Sequence, residues 1–196
     1  KARLLILLCL AGCAASGAVS ETPEEFHATA DVNGDGHADT VLVDKATGIY
    51  RVAYGQANGT NVWTEGRASG IESVTGFSAG RILNTARDAL AFTAPGANRI
   101  NVFVASSLGQ AGQPVNVFIG SLGPNRVVAL DIGGAGNTAH HDLYSPSLAN
   151  NPAAPYRFTL TRSTGSTFSQ ILDDTLSGFV VNAEAVKLKT NAANPI

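Results

Sequence analysis

The sequence predicts an all-β fold, and two observations lead to that prediction. Short runs of β-branched and aromatic residues recur along the chain, as at 40–44 and 49–55, and such runs favour strands. Gly, Ser, Thr and Asn are abundant between them, and Asn58-Gly59 is typical of a tight turn between two strands. A length of 196 residues suits one domain with enough chain to bury a core.

We expect strands throughout the chain after its first twenty or so residues. They are predicted near 40–44, 49–55, 61–64, 98–104, 114–119, 156–161, 168–172, 178–182 and 185–190. Only 14% of the residues are charged, and the formal net charge is −2. Clustered Lys and Arg are absent, so the sequence does not predict a nucleic-acid partner.

The N-terminal residues have the pattern of an export leader. Lys1 and Arg3 precede the apolar run Leu4 to Leu10, which suits a signal peptide and is too short to span a bilayer, a task that takes about 20 apolar residues. A core strand or helix is the alternative. The chain contains no Met, from which we infer trimming at its N-terminus. We assign residues 1–20 to the leader and the start of a tether that covers 14–25.

The leader ends in Leu10-Ala11-Gly12-Cys13, which resembles a bacterial lipobox. The resemblance implies a lipid on Cys13, cleavage before it, and attachment to the membrane of the bacterial cell envelope. The alternative is an ordinary signal cut near Ala15 or Ser16, which would give a secreted or periplasmic protein. Either way, no cysteine remains for a disulfide in the folded part, since Cys9 and Cys13 are the only two.

Residues 31–39, D-V-N-G-D-G-H-A-D, have the pattern of a calcium loop. Calcium prefers six to eight oxygen ligands, and alternate side chains of a tight loop turn toward one centre. The glycines at 34 and 36 permit sharp turns. A turn without metal is the alternative. The candidate ligands are the side chains of Asp31, Asn33, Asp35 and Asp39 and the backbone carbonyl of His37.

The context of the loop separates it from an EF-hand. An EF-hand has a Glu at the twelfth loop position and flanking helices, whereas Leu42 stands here and a strand follows. The pattern D-x-N-G-D-G-x-x-D followed directly by a strand resembles FG-GAP and VCBS repeats over residues 26–45. This resemblance implies the blades of an integrin-like β-propeller, a structural role for the calcium, and a surface module that binds a protein or a carbohydrate.

Weaker copies of the unit follow along the chain. Asp39, Asp88 and Asp142 are spaced by 49 and 54 residues, which suits a propeller blade of roughly 40–50 residues. The second copy keeps only Asn84 and Asp88, and the third keeps Asp131 and Asp142, so we expect calcium in the first copy alone. Residues 21–196 therefore predict an incomplete propeller of about three to four blades, with a β-sandwich as the alternative.

One motif suggests an enzyme instead. Gly76-Phe77-Ser78-Ala79-Gly80 matches the G-x-S-x-G elbow of α/β-hydrolases, and Asp131 and His140 or His141 follow in the order of a triad. The same segment also fits a weakened repeat loop. The leading hypothesis is a lipid-anchored calcium-binding scaffold or binding module. The alternatives are an esterase that uses Ser78, and the propeller part of a larger polysaccharide-active enzyme, adhesin or toxin-like protein.

Overall fold

Fourteen strands form the secondary structure of the described chain. The computed structural model describes residues 18–83, 86–104, 115–118, 124–130, 140–147 and 156–176. The strands are β1 (Ala18–Glu21), β2 (Glu25–Ala30), β3 (Asp39–Asp44), β4 (Ile49–Gly55), β5 (Asn61–Trp63), β6 (Arg67–Ala68), β7 (Gly76–Gly80), β8 (Ala89–Thr93), β9 (Arg99–Val104), β10 (Val115–Phe118), β11 (Val128–Leu130), β12 (Asp142–Ser147), β13 (Tyr156–Ser163) and β14 (Phe168–Leu176).

These strands form three antiparallel sheets, and the protein is all-β. The first sheet has the order β1-β2-β3-β4-β5, with β6 also paired to β4. The second has the order β10-β9-β8-β7, and the third has the order β11-β12-β13-β14. None of the three sheets closes on itself, and within the ranges given above no helix is long and apolar enough to cross a membrane.

Alternation of buried and half-exposed residues explains the first sheet. Val41 and Val43 are fully buried in β3, whereas the alternate residues Thr40 and Leu42 are only partly covered. Strand β2 shows the same period of two, with Phe26, Ala28 and Ala30 buried. One face of this sheet therefore packs against the second sheet, as expected for an antiparallel sheet with one covered face.

The second sheet lies between two hydrophobic clusters. Leu90 and Phe92 of β8 belong to the cluster shared with the first sheet. Ala89 and Ala91 point the other way, into a second cluster that includes Ala129 and Leu143 of the third sheet. Strand β8 is consequently buried at every position, because both of its faces are covered.

Aromatic rings fill the cluster between the first two sheets. The Phe92 ring centroid lies 5.0 Å from that of Phe77, 5.2 Å from Tyr50 and 5.7 Å from Phe103. Such tilted and edge-on pairs add about 0.5–1.5 kcal/mol each beyond the area that they bury. Phe92 has no exposed surface and stands at the centre of this group.

The predicted tether is wrong for residues 18–21, which form β1. This strand pairs with β2 from Ala18 opposite Thr29 to Glu21 opposite Phe26. Glu21 also accepts ion-pair contacts from Lys45 Nζ at 2.6 Å and from Arg126 Nη1 at 3.3 Å. Part of the segment that the sequence assigns to a tether is therefore a strand of the first sheet.

Most of the predicted strands are confirmed. The strands predicted near 40–44, 49–55, 61–64, 98–104, 114–119, 156–161 and 168–172 correspond to β3, β4, β5, β9, β10, β13 and β14. Those predicted at 178–182 and 185–190 lie outside the described residues. The segment 76–80, interpreted as an elbow or a repeat loop, is the strand β7.

Candidate functional site

The candidate metal loop, residues 31–38 with Asp39, connects β2 to β3. Ala30 pairs with Asp39 across the two strands, and this pair closes the base of the loop. Val32 is fully buried and anchors the loop on the core, whereas Asp35 and His37 are exposed. A polar loop thus stands on a rigid base at one end of the first sheet.

The loop winds its backbone around the Asp31 carboxylate. Asp31 Oδ1 accepts N–H groups from Gly34 at 2.7 Å and Asp35 at 3.1 Å, and Oδ2 accepts one from Gly36 at 3.0 Å. Gly34 and Gly36 have φ angles of 79° and 83°, values that side chains disfavour. The two glycines of the motif therefore permit the turn that brings these N–H groups to Asp31.

The side chains of Asn33 and Asp35 are each oriented by a hydrogen bond from the backbone N–H of the residue two positions later. Asn33 Oδ1 accepts the Asp35 N–H at 2.9 Å, and Asp35 Oδ1 accepts the His37 N–H at 2.8 Å. Asn33 Nδ2 also donates to Asp35 Oδ2 at 2.8 Å. The bond from the His37 backbone lowers the pKa of Asp35 below its usual value, so this carboxylate is charged at neutral pH.

Asp39 differs from the other candidate ligands because it is fully buried. Its Oδ1 accepts the Gly55 N–H at 2.9 Å, and its Oδ2 accepts N–H groups from Val32 at 2.8 Å and Asn33 at 3.4 Å. Burial raises the pKa of Asp39, and the three backbone bonds oppose that rise. Asp39 therefore fastens the loop to β4 as well as closing the motif.

The donor set of the loop fits calcium. Its side chains offer oxygen atoms from three carboxylates and one amide, and a carboxylate has about four acceptor positions, so an oxygen that binds an N–H can also bind a cation. In the described part of the chain, no three Asp, Glu, His or Cys side chains converge on one point. The candidate ligands that would hold a cation are Asp31, Asn33, Asp35, Asp39 and the carbonyl of His37.

The strand pairing in the three sheets aligns a different set of residues from Asp39, Asp88 and Asp142, which the sequence repeats align. The last residue of β2, β7 and β11 pairs with the first residue of β3, β8 and β12, respectively. These pairs are Ala30 with Asp39, Gly80 with Ala89, and Leu130 with Asp142. Ala89 therefore corresponds to Asp39. The predicted alignment of Asp88 with Asp39 is wrong by one residue, because the carboxylate precedes the strand rather than starting it.

Asp142 has the same position in its sheet as Asp39 and a similar role. It is fully buried, and its Oδ1 accepts the Ser163 N–H at 3.1 Å, as Asp39 accepts that of Gly55. Arg162 Nε lies 3.8 Å from Asp142 Oδ2. A buried Asp at this position thus fixes the end of the third strand, and sequence reasoning treated it only as a remnant of a metal site.

Asp88 instead joins the loop to the second sheet. Its Oδ2 accepts the Asp31 N–H at 2.9 Å, and its own N–H donates to the Asp31 carbonyl at 2.7 Å. Arg81 and His141 form the corresponding pair between the second and third sheets. The Arg81 N–H donates to His141 Nδ1 at 3.3 Å, and the His141 N–H donates to the Arg81 carbonyl at 2.9 Å.

The conformation needed for a nucleophile elbow is not formed at Ser78. This residue lies in the middle of β7, is 6% exposed, and its Oγ accepts the Ala129 N–H at 2.9 Å. An elbow instead holds its serine on a sharp turn between a strand and a helix. His141 binds Arg81 as described above, and Asp131 lies outside the described residues.

A small open cavity lies beside the metal loop. It has a volume of about 340 Å³, and its lining includes Asp31, His37, Arg81, Arg87 and Asp88. Residues of the loop and of the segment before β8 therefore line the same cavity. Asn84, which the sequence assigns to the second copy of the loop, lies outside the described residues. Cys13, the predicted lipidation site, lies outside them as well.

Among the aromatic side chains that the structure describes, Trp63 is the one that is largely exposed to solvent. Trp63 is 50% exposed on the edge strand β5, next to Val62 at 57%. Tyr50 is in the core, and Tyr54 and Tyr144 are partly buried.

Comparison with known proteins gives no relative from which function could be transferred. No family model matches the chain, and neither a curated protein nor a solved structure shows significant similarity to it.

Proposed function

We propose that this chain is an exported, lipid-anchored β-propeller repeat protein of FG-GAP/VCBS type that binds calcium and acts as a surface binding or scaffold module. The calcium is held by the loop at 31–39. Its role is to stabilise the loop, where three carboxylates would otherwise repel one another. No residue in this proposal is catalytic.

The conformation of the metal loop is the observation that carries the calcium proposal. Asp31 gathers three backbone N–H groups, and Asn33 and Asp35 each accept one from the residue two positions ahead. These bonds fix the side-chain oxygens of alternate residues in a tight turn. Side-chain oxygens from alternate residues of one tight loop are the type of ligand set that calcium takes in proteins.

The arrangement of the sheets supports the propeller. Each sheet contains a run of four antiparallel strands in chain order, and the strands that begin the runs, β2, β7 and β11, are in contact through β7. Their last residues, Ala30, Gly80 and Leu130, are spaced at intervals of 50. Blades of four strands around a shared axis would produce both features.

The edge strand β5 supports a binding role. Val62 is 57% exposed and its neighbour Trp63 is 50% exposed. Both lie on β5, the last strand in the order of the first sheet, whose outer edge pairs with no other described strand. Partly solvent-exposed aromatic side chains are frequent in binding surfaces for proteins and sugars. The partner in this proposal is a protein or carbohydrate, and the membrane is contacted through the lipid.

Calcium titration during thermal unfolding tests the metal proposal. We expect calcium to raise the melting temperature of the full chain, with about 2.7 kcal/mol of stabilisation when calcium is at about 100 times its Kd. Asp35→Ala should abolish the calcium-dependent rise. Asp44→Ala is the matched control, because Asp44 also accepts a turn N–H, from Thr47 at 2.8 Å, but lies at the other end of β3. Equal melting temperatures with calcium and with chelator would sink the proposal.

Fractionation of expressing bacteria tests the anchor. The native chain should carry labelled fatty acid and sediment with membranes, whereas Cys13→Ser should lose both properties, because the acylated thiol is gone. A native protein that is soluble and unlabelled would exclude the lipid anchor and favour secretion.

A further inference from the structure

The candidate calcium loop is tied to the second sheet through the backbone of its first ligand. The Asp31 side chain gathers the loop, while its N–H and its carbonyl both bond to Asp88. Asp88 is 5% exposed and directly precedes β8, 57 positions further along the chain. Asp31 therefore takes part both in the loop, through its side chain, and in the contact between the first two sheets, through its backbone.

The contact between the loop and the second sheet is close. A Cβ atom added at Gly34 would lie 2.8 Å from the carbonyl oxygen of Ala86, so the loop backbone rests directly on the segment before Asp88. Burial raises the pKa of Asp88, and the bond from the Asp31 N–H and the nearby charge of Arg81 partly oppose that rise.

The same tie occurs where the sequence offers no metal loop. Arg81 and His141 exchange equivalent bonds between the second and third sheets, with a backbone N–H given to a side chain and a backbone N–H returned. This pair of hydrogen bonds is therefore found at both contacts between neighbouring sheets. Only at the first joint does the tied residue also supply a candidate metal ligand.

We propose that Asp88 is a positioning residue for the calcium site, and that the site is completed only when the first two sheets are docked. This inference rests on the proposed calcium binding. Asp88 does not touch the ion. It fixes the backbone of Asp31, so that the carboxylate points into the loop, in the way that outer groups orient the ligands of a metal.

Thermodynamic reciprocity gives the proposal a second consequence. If docking of the second sheet strengthens calcium binding, calcium must strengthen docking by the same factor. Calcium therefore acts across the joint, and protection from hydrogen exchange should rise at the Asp88 amide, which lies outside the loop, as well as at the amides of Gly34 and Gly36.

Calcium affinity measured by calorimetry on the full chain tests the proposal. Asp88→Ala should weaken binding about tenfold or more, as is typical for the loss of a group that orients a ligand. Asp88→Asn should restore most of the affinity, because its amide oxygen can accept the Asp31 N–H. Ser78→Ala is the matched control, since it removes a side-chain acceptor between the second and third sheets, the one that binds the Ala129 N–H at 2.9 Å, and should leave calcium affinity unchanged.

The outcomes separate this inference from the proposed function. A native chain that binds no calcium would overturn both. Native binding with unchanged affinity in a folded Asp88→Ala variant would overturn the positioning role alone. If Asp88→Ala does not fold, the native protein decides: calcium that slows exchange within the loop but leaves the Asp88 amide unaffected would also overturn the inference.

Discussion

Asp39 illustrates at the scale of one residue how a candidate ligand can also hold the fold together. Its carboxylate has no exposed surface and accepts N–H groups from the loop and from the end of β4. Asp142 has the same position in the third sheet and the same bond to the end of its third strand. Selection for this bond and selection for a metal would both favour Asp here, so the motif alone does not separate the two roles.

Replacement of Asp39 by Ala should destabilise the protein even without calcium. The backbone N–H groups of Val32 and Gly55 would lose their acceptor in a buried place, which we expect to cost about 2–4 kcal/mol in the free energy of unfolding. Urea denaturation in the presence of chelator measures this loss. A loss below about 0.5 kcal/mol, the range of neutral surface changes, would show that water replaces the carboxylate.

Tyr50 gives the protein a pH-dependent stability on the alkaline side. Burial raises the pKa of its hydroxyl above 10.0, although Arg67 opposes the shift. Above pH 10.0 the unfolded chain therefore loses this proton while the folded chain keeps it, and the free energy of unfolding falls as pH rises from there toward the folded pKa.

Tyr50→Phe should reduce this alkaline loss, because Phe has no proton to release. Urea unfolding at about pH 8 and about pH 11 measures the loss in both proteins. Tyr54 and Tyr144, whose pKa values burial also raises, remain in the variant and should leave part of the effect. An identical pH dependence in the two proteins would contradict the assignment to Tyr50.

At the scale of elements, two glycine turns have the same backbone twist and different surroundings. Gly48, before β4, and Gly59, before β5, have φ angles of 67° and 78°. A Cβ at Gly48 would overlap the carbonyl oxygen of Ile71, whereas one at Gly59 would meet nothing within 4 Å. The first turn is packed under the segment 69–71, and the second is open to solvent.

The substitutions Gly48→Ala and Gly59→Ala should therefore differ sharply. Gly59→Ala adds only the strain of a positive φ, about 1–2 kcal/mol. Gly48→Ala adds the same strain and also displaces the chain at Ile71, so its cost should exceed that of Gly59→Ala by more than about 1 kcal/mol. Chemical denaturation of the two variants gives the comparison, and equal costs would contradict the packing of the first turn.

The elements that sequence reasoning missed are those that hydrophobic periodicity does not mark. Strand β1 is mostly exposed and is held by backbone pairing and by the ion pairs of Glu21, neither of which leaves an apolar pattern. Strand β7 looks like a loop because it is rich in Gly and Ser. Its glycines instead allow close approach, since a Cβ at Gly76 would lie 2.7 Å from the Cα of Arg126.

Longer strands with one covered face were predictable, and so was the tight turn at 31–39, because its glycine spacing is local. The long-range hydrogen bonds that fix the position of the loop on the sheets were not predictable. Asp88 reaches Asp31 across 57 positions, and Asp39 reaches Gly55 across 16. A single sequence carries no signal for such distant pairs, and the one-residue difference between Asp88 and Ala89 reverses the face on which a side chain lies.

At the scale of the whole molecule, the second sheet is the shared part. Its two faces contribute to both hydrophobic clusters, so that the first and third sheets are each packed against it. Sheets that share a partner in this way should unfold together, because exposing either cluster exposes strand β8.

Phe92→Ala should lower the free energy of unfolding by about 3–5 kcal/mol, since Phe92 is fully buried at the centre of four rings and leaves a cavity. Trp63→Ala is the control for loss of an aromatic ring, and because Trp63 is half exposed we expect a much smaller change, of about 0.5 kcal/mol. Urea unfolding followed by circular dichroism measures both. Comparable losses in the two variants would show that the ring cluster contributes little.

If Cys13 carries the proposed lipid, the pairing of Ala18 with Thr29 would limit the distance between the fold and the bilayer. A lipid on Cys13 would be five peptide steps from Ala18, a contour length of at most about 18 Å. Ala18 lies beside the end of β2 from which the loop at 31–39 departs. With such a short attachment, the end of the first sheet that carries the loop would stay closer to the headgroups than the turn before Gly48 at its opposite end. Since anionic headgroups concentrate cations, the loop would respond to calcium at the membrane surface more than to calcium in the bulk.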